Sequence, residues 1–127
     1  MTNKILIDHF LHPRNMGALD NPEFQAITRS ETCADLVKLM AVIDGDGHVK
    51  DIQAQVYGCG YAISGTSLFT DLAKHKNIDT VLEEAENATA AILPQVPERH
   101  RDCLILCHSA FRKILEAYKP GTADGTA

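Results

Sequence analysis

At Cys59 the hydrophobic rhythm of the chain changes. Before it, L-V-K-L-M-A-V-I-D (36–44) and H-V-K-D-I-Q-A-Q-V-Y-G (48–58) are rich in apolar and β-branched residues, with Ile52, Ala54 and Val56 on one face. The turn sequence D-G-D-G at 44–47 lies between them, so the pair reads as a β-hairpin. The same turn does not read as a calcium loop, because Gln55 stands where the loop's twelfth-position glutamate belongs. After Cys59 the period becomes helical. Ala62, Ile63, Thr66, Phe69, Thr70 and Leu72 fit one helix to about residue 75, and Ile78, Val81, Leu82, Ala85, Ala88 and Ile92 a second over 78–92. L-P-Q-V-P breaks that helix, and a last one is expected from near Asp102 to Tyr118. Upstream, residues 3–11 read as a short helix stopped by Pro13, 12–22 as an ordered loop, and 24–31 as a first strand. Strands precede most of the helices. The expected class is α+β, a small three-stranded antiparallel sheet with helices packed on one face. A single domain over 1–119 and a flexible tail over 120–127 complete the reading.

The 127 residues suffice for one hydrophobic core. A net charge of -5 without a basic stripe argues against nucleic acid as a partner, and no apolar run approaches the ~20 residues of a membrane span. The N-terminal apolar run is too short for a signal peptide, so a cytoplasmic protein is expected. In that compartment the four cysteines, at 33, 59, 103 and 107, are not expected to form structural disulfides. No C-x-x-C pair occurs, so any cysteine site must be assembled from distant segments.

The hairpin supplies a way to do that. A turn at 44–47 pairs residues whose numbers sum to about 91, which sets Cys33 opposite roughly residue 58 and beside Cys59. Asp35 is expected on the Cys33 side of the strand, where its carboxylate can reach the same centre. Cys103, at the start of the last helix, is expected to have its thiol acidified by the helix dipole. Gly58 and Gly60 keep bulk away from Cys59. Three thiols with one or two O/N donors suit zinc or an iron–sulfur cluster. Cys107 falls in the apolar stripe of the last helix and is expected in the core; His108 beside it is expected to be partly exposed.

Four segments resemble one family. They are D-H-F-L-H-P-R-N-M-G-A-L-D (8–20), C-A-D (33–35), Y-G-C-G-Y-A-I-S-G-T-S-L-F-T-D-L (57–72) and D-C-L-I-L-C-H-S-A-F-R-K-I-L-E-A-Y-K (102–119). They are similar to the motifs of the U-type iron–sulfur cluster scaffold family: IscU, the N-terminal domain of NifU, and the zinc protein SufU. The resemblance implies a non-enzymatic scaffold. Such a scaffold takes persulfide sulfur from a cysteine desulfurase, assembles a transient [2Fe–2S] cluster with iron, and passes it to apo iron–sulfur acceptor proteins. It implies Cys33, Cys59 and Cys103 as cluster ligands and Asp35 as the acidic residue beside the metal. Asp102 occupies the place of the family's histidine, with His100 two residues before it, so the fourth ligand is Asp35, Asp102 or His100. L-P-Q-V-P is an altered form of the family's Hsp70-type chaperone motif. A SufU-like sulfur acceptor holding Zn²⁺ is the alternative, and a monomer or weak dimer is expected.

Overall fold

The computed structural model describes residues 1–31 and 34–118. Helix α1 (Lys4–Leu11) precedes strands β1 (Phe24–Arg29), β2 (Leu36–Ile43) and β3 (Val49–Tyr57). Helices α2 (Gly60–Ala73), α3 (Ile78–Ala90), α4 (Arg101–Leu104) and α5 (Leu106–Tyr118) follow, with two 3₁₀ turns, Leu93–Gln95 and Glu98–His100, between α3 and α4. The sheet is antiparallel in the order β1-β2-β3. This is the expected α+β architecture. Among the described residues, no helix is long and apolar enough to cross a membrane.

The strand sequences alternate, and the alternation decides which face is covered. Val37, Leu39, Ala41 and Ile43 of β2 lie opposite Val56, Ala54, Ile52 and Val49 of β3. Together with Phe69 of α2 and Phe111 and Ile114 of α5 they make the main core. A fully buried side chain of this size stabilises the fold by roughly 1.5–3 kcal/mol. A second, smaller cluster joins Leu6 of α1 to Leu68, Ile92, Val96 and Leu104. Helix α1 starts where Asn3 accepts from the N–H groups of Ile5 and Leu6, a side-chain cap of the usual kind.

The loop after α1 is ordered by its own polar residues. Asn15 takes a left-handed φ of 58°, a conformation asparagine tolerates. Its carbonyl accepts from Ala54 N–H, and Gly17 N–H donates to Ala54 C=O, so the loop closes part of the free edge of β3. Ser67 Oγ accepts from Arg14 N–H at 2.9 Å and contacts His9 Nδ1 at 2.7 Å, fixing the loop to α2.

Three expectations are corrected. First, β2–β3 partners sum to 93 rather than about 91. Asp44 carboxylate accepts from the N–H groups of Asp46 and His48, lengthening the turn so that Asp44 pairs with His48. A bulge at Val42/Ile43 adds one more residue. The shift is even, so each side chain keeps its face. Second, the last helix is not continuous. Ile105, at φ -104° and ψ 14°, separates a four-residue α4 from α5. Third, His108 is not partly exposed: it is 4% exposed and lies 5.2 Å from the ring of Phe69. Cys107 is fully buried in the core as expected, and burial pushes its thiol pKa up. The expected tail at 120–127 lies outside the described residues.

Candidate metal centre

The turn from β3 into α2 places Cys59. Tyr57 ends the strand, and Cys59 is the residue before the first turn of α2, with extended φ and ψ of -74° and 170°. Gly58 has a steric purpose: a Cβ there would lie 2.5 Å from Asp35 Oδ1. Its absence lets the carboxylate reach past the chain. Asp35 Oδ1 accepts from Cys59 N–H at 3.2 Å and Oδ2 from the Cys59 thiol at 3.1 Å. Asp35 does not sit within a strand as expected. It immediately precedes β2, is 6% exposed, and its carbonyl accepts from Ser30 N–H.

The second cysteine arrives from the far end of the chain. Helix α4 packs across α2 at Gly65, where any Cβ would overlap the carbonyl oxygen of Leu104. Only glycine lets the two backbones approach so closely. That contact holds Cys103, fully buried, against the start of α2. The 3₁₀ turn Glu98–His100 then sets the imidazole of His100 on the ring of Tyr61, at 5.0 Å between centroids.

The result is a three-residue donor group. One ligand atom each from Cys59, His100 and Cys103 lies within 4.8 Å of the others. His100 Nε2 lies 3.2 Å from Arg99 Nε, and Nδ1 is buried with no hydrogen-bond partner. Leaving such a nitrogen unsatisfied costs about 1–3 kcal/mol. An imidazole grouped with two thiols, one of its nitrogens unpaired, fits a group that the polypeptide itself does not supply. Two thiols and an imidazole are the donor chemistry of zinc or of an iron–sulfur centre.

The electrostatics differ from expectation. Cys103 is the third residue of a helix of only four, so no long dipole acts on it. Cys59 instead meets the N-terminus of the 14-residue α2. Even so, burial raises the Cys59 thiol pKa. The N–H groups of Ala62 and Tyr61 pull it down, while the Asp35 carboxylate adds to the rise. Without a metal the thiol therefore keeps its proton and shares it with Asp35. A bound cation would replace that proton.

Of the three candidates for a fourth ligand, His100 is the one brought within this group. The Asp35 carboxylate reaches Cys59, and Asp102 is turned toward Ser30, whose hydroxyl donates to Oδ2 at 2.8 Å; its Oδ1 lies 3.8 Å from Cys103 Sγ. Cys33 lies outside the described residues. The sequence reading missed Gly65 and Tyr61. The first left no signal beyond a glycine inside a helical period, and the second none at all.

The NifU-like N terminal domain family matches residues 1–124. The chain is 31% identical over 117 residues to the iron–sulfur cluster assembly scaffold protein IscU of Escherichia coli strain K12, covering 90% of this chain and 91% of that protein. It is also 31% identical over 121 residues to the scaffold protein IscU 1 of Archaeoglobus fulgidus, covering 94% and 78%. Its fold is similar to that of a NifU-like N-terminal protein from Brucella abortus, with a TM-score of 0.75 at 19% identity, covering 90% of this chain and 91% of that one. The same holds for a SUF-system scaffold protein from Fervidobacterium islandicum, at 0.73 and 16%, covering 89% and 95%. Two thiols and an imidazole gathered at one corner of an α+β fold are thus found in a chain that belongs to the NifU-like N terminal domain family.

Proposed function

We propose that this protein is a cytoplasmic scaffold on which an iron–sulfur cluster is assembled and from which it is handed to apo-proteins. The observation that carries the reading is the convergence of Cys59, His100 and Cys103 on one point, with a buried imidazole nitrogen left unpaired. Cys33 joins Cys59 and Cys103 as the third thiolate in this reading, through the C-A-D segment. Asp35, already bonded to the Cys59 thiol, serves as the exchangeable partner. It holds the thiol while the site is empty of cargo and takes its proton when iron arrives. A donor set completed by an imidazole and a replaceable carboxylate holds a cluster less finally than four thiolates do, which suits hand-over.

Sulfur comes from a cysteine desulfurase. A scaffold thiolate attacks the outer sulfur of the desulfurase persulfide; a new S–S bond forms, the old one breaks, and the desulfurase leaves as thiolate. The scaffold's own residues bind, orient and exchange, and no substrate turnover is ascribed to them. An Hsp70-type chaperone acting at L-P-Q-V-P and a monomer or weak dimer belong to the same reading.

A second reading is a SufU-like sulfur acceptor in which Zn²⁺ sits on the same atoms. The mixed sulfur and nitrogen donor set favours it, since tetrahedral zinc takes such ligands. Anaerobic reconstitution with ferrous iron, free cysteine and a cysteine desulfurase separates the two. The scaffold reading predicts visible cluster absorption and its transfer to an apo iron–sulfur protein, both lost in Cys59→Ala and Cys103→Ala. A colourless protein that retains zinc and stimulates the desulfurase would establish the second reading instead.

A further inference from the structure

A cavity of about 780 Å³ opens beside the cysteine corner, between the end of β1 and the α4–α5 break. Its size is that of small-molecule sites in general. Its walls carry both signs of charge: Arg29 and Arg101 bring guanidinium groups, and Glu31, Glu98 and Asp102 bring carboxylates. Arg101 is held by its Nε–H bond to Val96 C=O at 3.0 Å. Arg29 makes no ion pair among the described residues. Thr28, also in the wall, is 8% exposed, and its hydroxyl has no hydrogen-bond partner. A cavity lined by charged side chains of both signs matches a ligand that itself carries both signs.

The wall shared with the cysteine corner is Asp102. One of its oxygens takes the Ser30 hydroxyl proton, and the other lies 3.8 Å from Cys103 Sγ. A ligand filling the cavity therefore ends next to a metal-binding thiol. We propose that this cavity binds a small zwitterionic thiol of the cysteine class, a short thiol peptide in particular. Its charged ends meet Arg29, Arg101 and the glutamates, and its sulfur lies at the Asp102 rim. There it can share a cargo iron with Cys103. One iron–oxygen or iron–nitrogen bond is exchanged for an iron–sulfur bond, the displaced ligand and the thiol proton pass to solvent, and no electron changes hands. This last part rests on the scaffold reading; binding itself requires no metal.

The test titrates metal-free protein with reduced glutathione and, separately, with S-methylglutathione, followed by amide NMR. Both are expected to give saturable shifts at residues 28–30 and 98–109. Arg29→Ala, a change on the exposed side of β1, should weaken both at least fivefold, and Arg101→Gln likewise. In cobalt-substituted protein only the free thiol should add sulfur-to-cobalt absorption. The binding proposal is overturned if no saturable shifts appear, or if they survive Arg29→Ala and Arg101→Gln unchanged. Identical cobalt spectra with the two peptides would overturn the iron-sharing step. A failure of cluster reconstitution with peptide binding intact would count against the scaffold reading alone.

Discussion

The two ends of the β2–β3 hairpin are built on opposite terms. At the turn, every polar group named has a partner. Asp44 takes two backbone N–H groups, its carbonyl accepts from Tyr118 Oη at 3.1 Å, and Gly47 C=O receives Ile78 N–H. At the open end Cys59, Cys103, Asp35 and His100 crowd together, one imidazole nitrogen goes unpaired, and the half-buried Cys59 thiol shares its proton with a carboxylate. One end is satisfied by the chain itself. The other carries donor atoms that the described chain leaves unsatisfied. The difference separates residues that hold the fold from residues whose donor atoms are left over.

The largest effect should come from acid, and it tests whether the interior is as satisfied as the turn suggests. His108 is buried against Phe69, and burial, with Arg112 nearby, lowers its pKa from 6.5 to about 4. A lowered folded pKa means that the folded state binds the proton less well than the unfolded one. Stability is therefore full above about pH 6.5 and falls as the pH drops toward 4, by about 3 kcal/mol in all. His9, whose pKa is lowered mainly by burial, acts in the same direction. Urea denaturation of metal-free protein between pH 7 and pH 4 reads the loss, and His108→Gln should flatten most of it.

Gly65→Ala comes next, because it attacks the joint between fold and site. The new Cβ would overlap the Leu104 carbonyl. We expect a loss of about 2–3 kcal/mol of unfolding free energy in denaturant titrations, the upper part of the range for overpacked cores, together with weakened zinc binding as Cys103 is pushed away. His100→Ala should do the reverse. Zinc affinity falls about 10-fold to 100-fold, equivalent to roughly 1.4–2.7 kcal/mol. Metal-free stability should hold or rise slightly, since an unsatisfied buried nitrogen is removed; competition with a chelator and a thermal melt check the two halves. Asp44→Ala is the smallest change, a slight loss of stability from two lost side-chain-to-backbone bonds at the surface. It should leave zinc affinity untouched, which equilibrium dialysis would verify.

Much of this was legible in the residues. The change of hydrophobic period at Cys59 located the strand-to-helix joint, the D-G-D-G turn located the hairpin, and the stripe through Cys107 located a core cysteine. The register was not legible, because a carboxylate-stabilised turn and a bulge each add a residue without changing any alternation. The helix break at Ile105 was also hidden. The apolar period runs straight through it, and the break lies beside the point where Leu104 meets Gly65 from another part of the chain. His100 was one of three possible ligands by sequence; only the turn that stacks it on Tyr61 brings it into the group with Cys59 and Cys103.

The most direct measurement is X-ray absorption at the zinc edge of the zinc-loaded protein, compared with its His100→Ala variant. A mixed shell of sulfur and nitrogen, with imidazole scattering that disappears in the variant, is the predicted result. A shell without sulfur, or an imidazole signal that survives the substitution, would contradict the joining of Cys59, His100 and Cys103 in one centre.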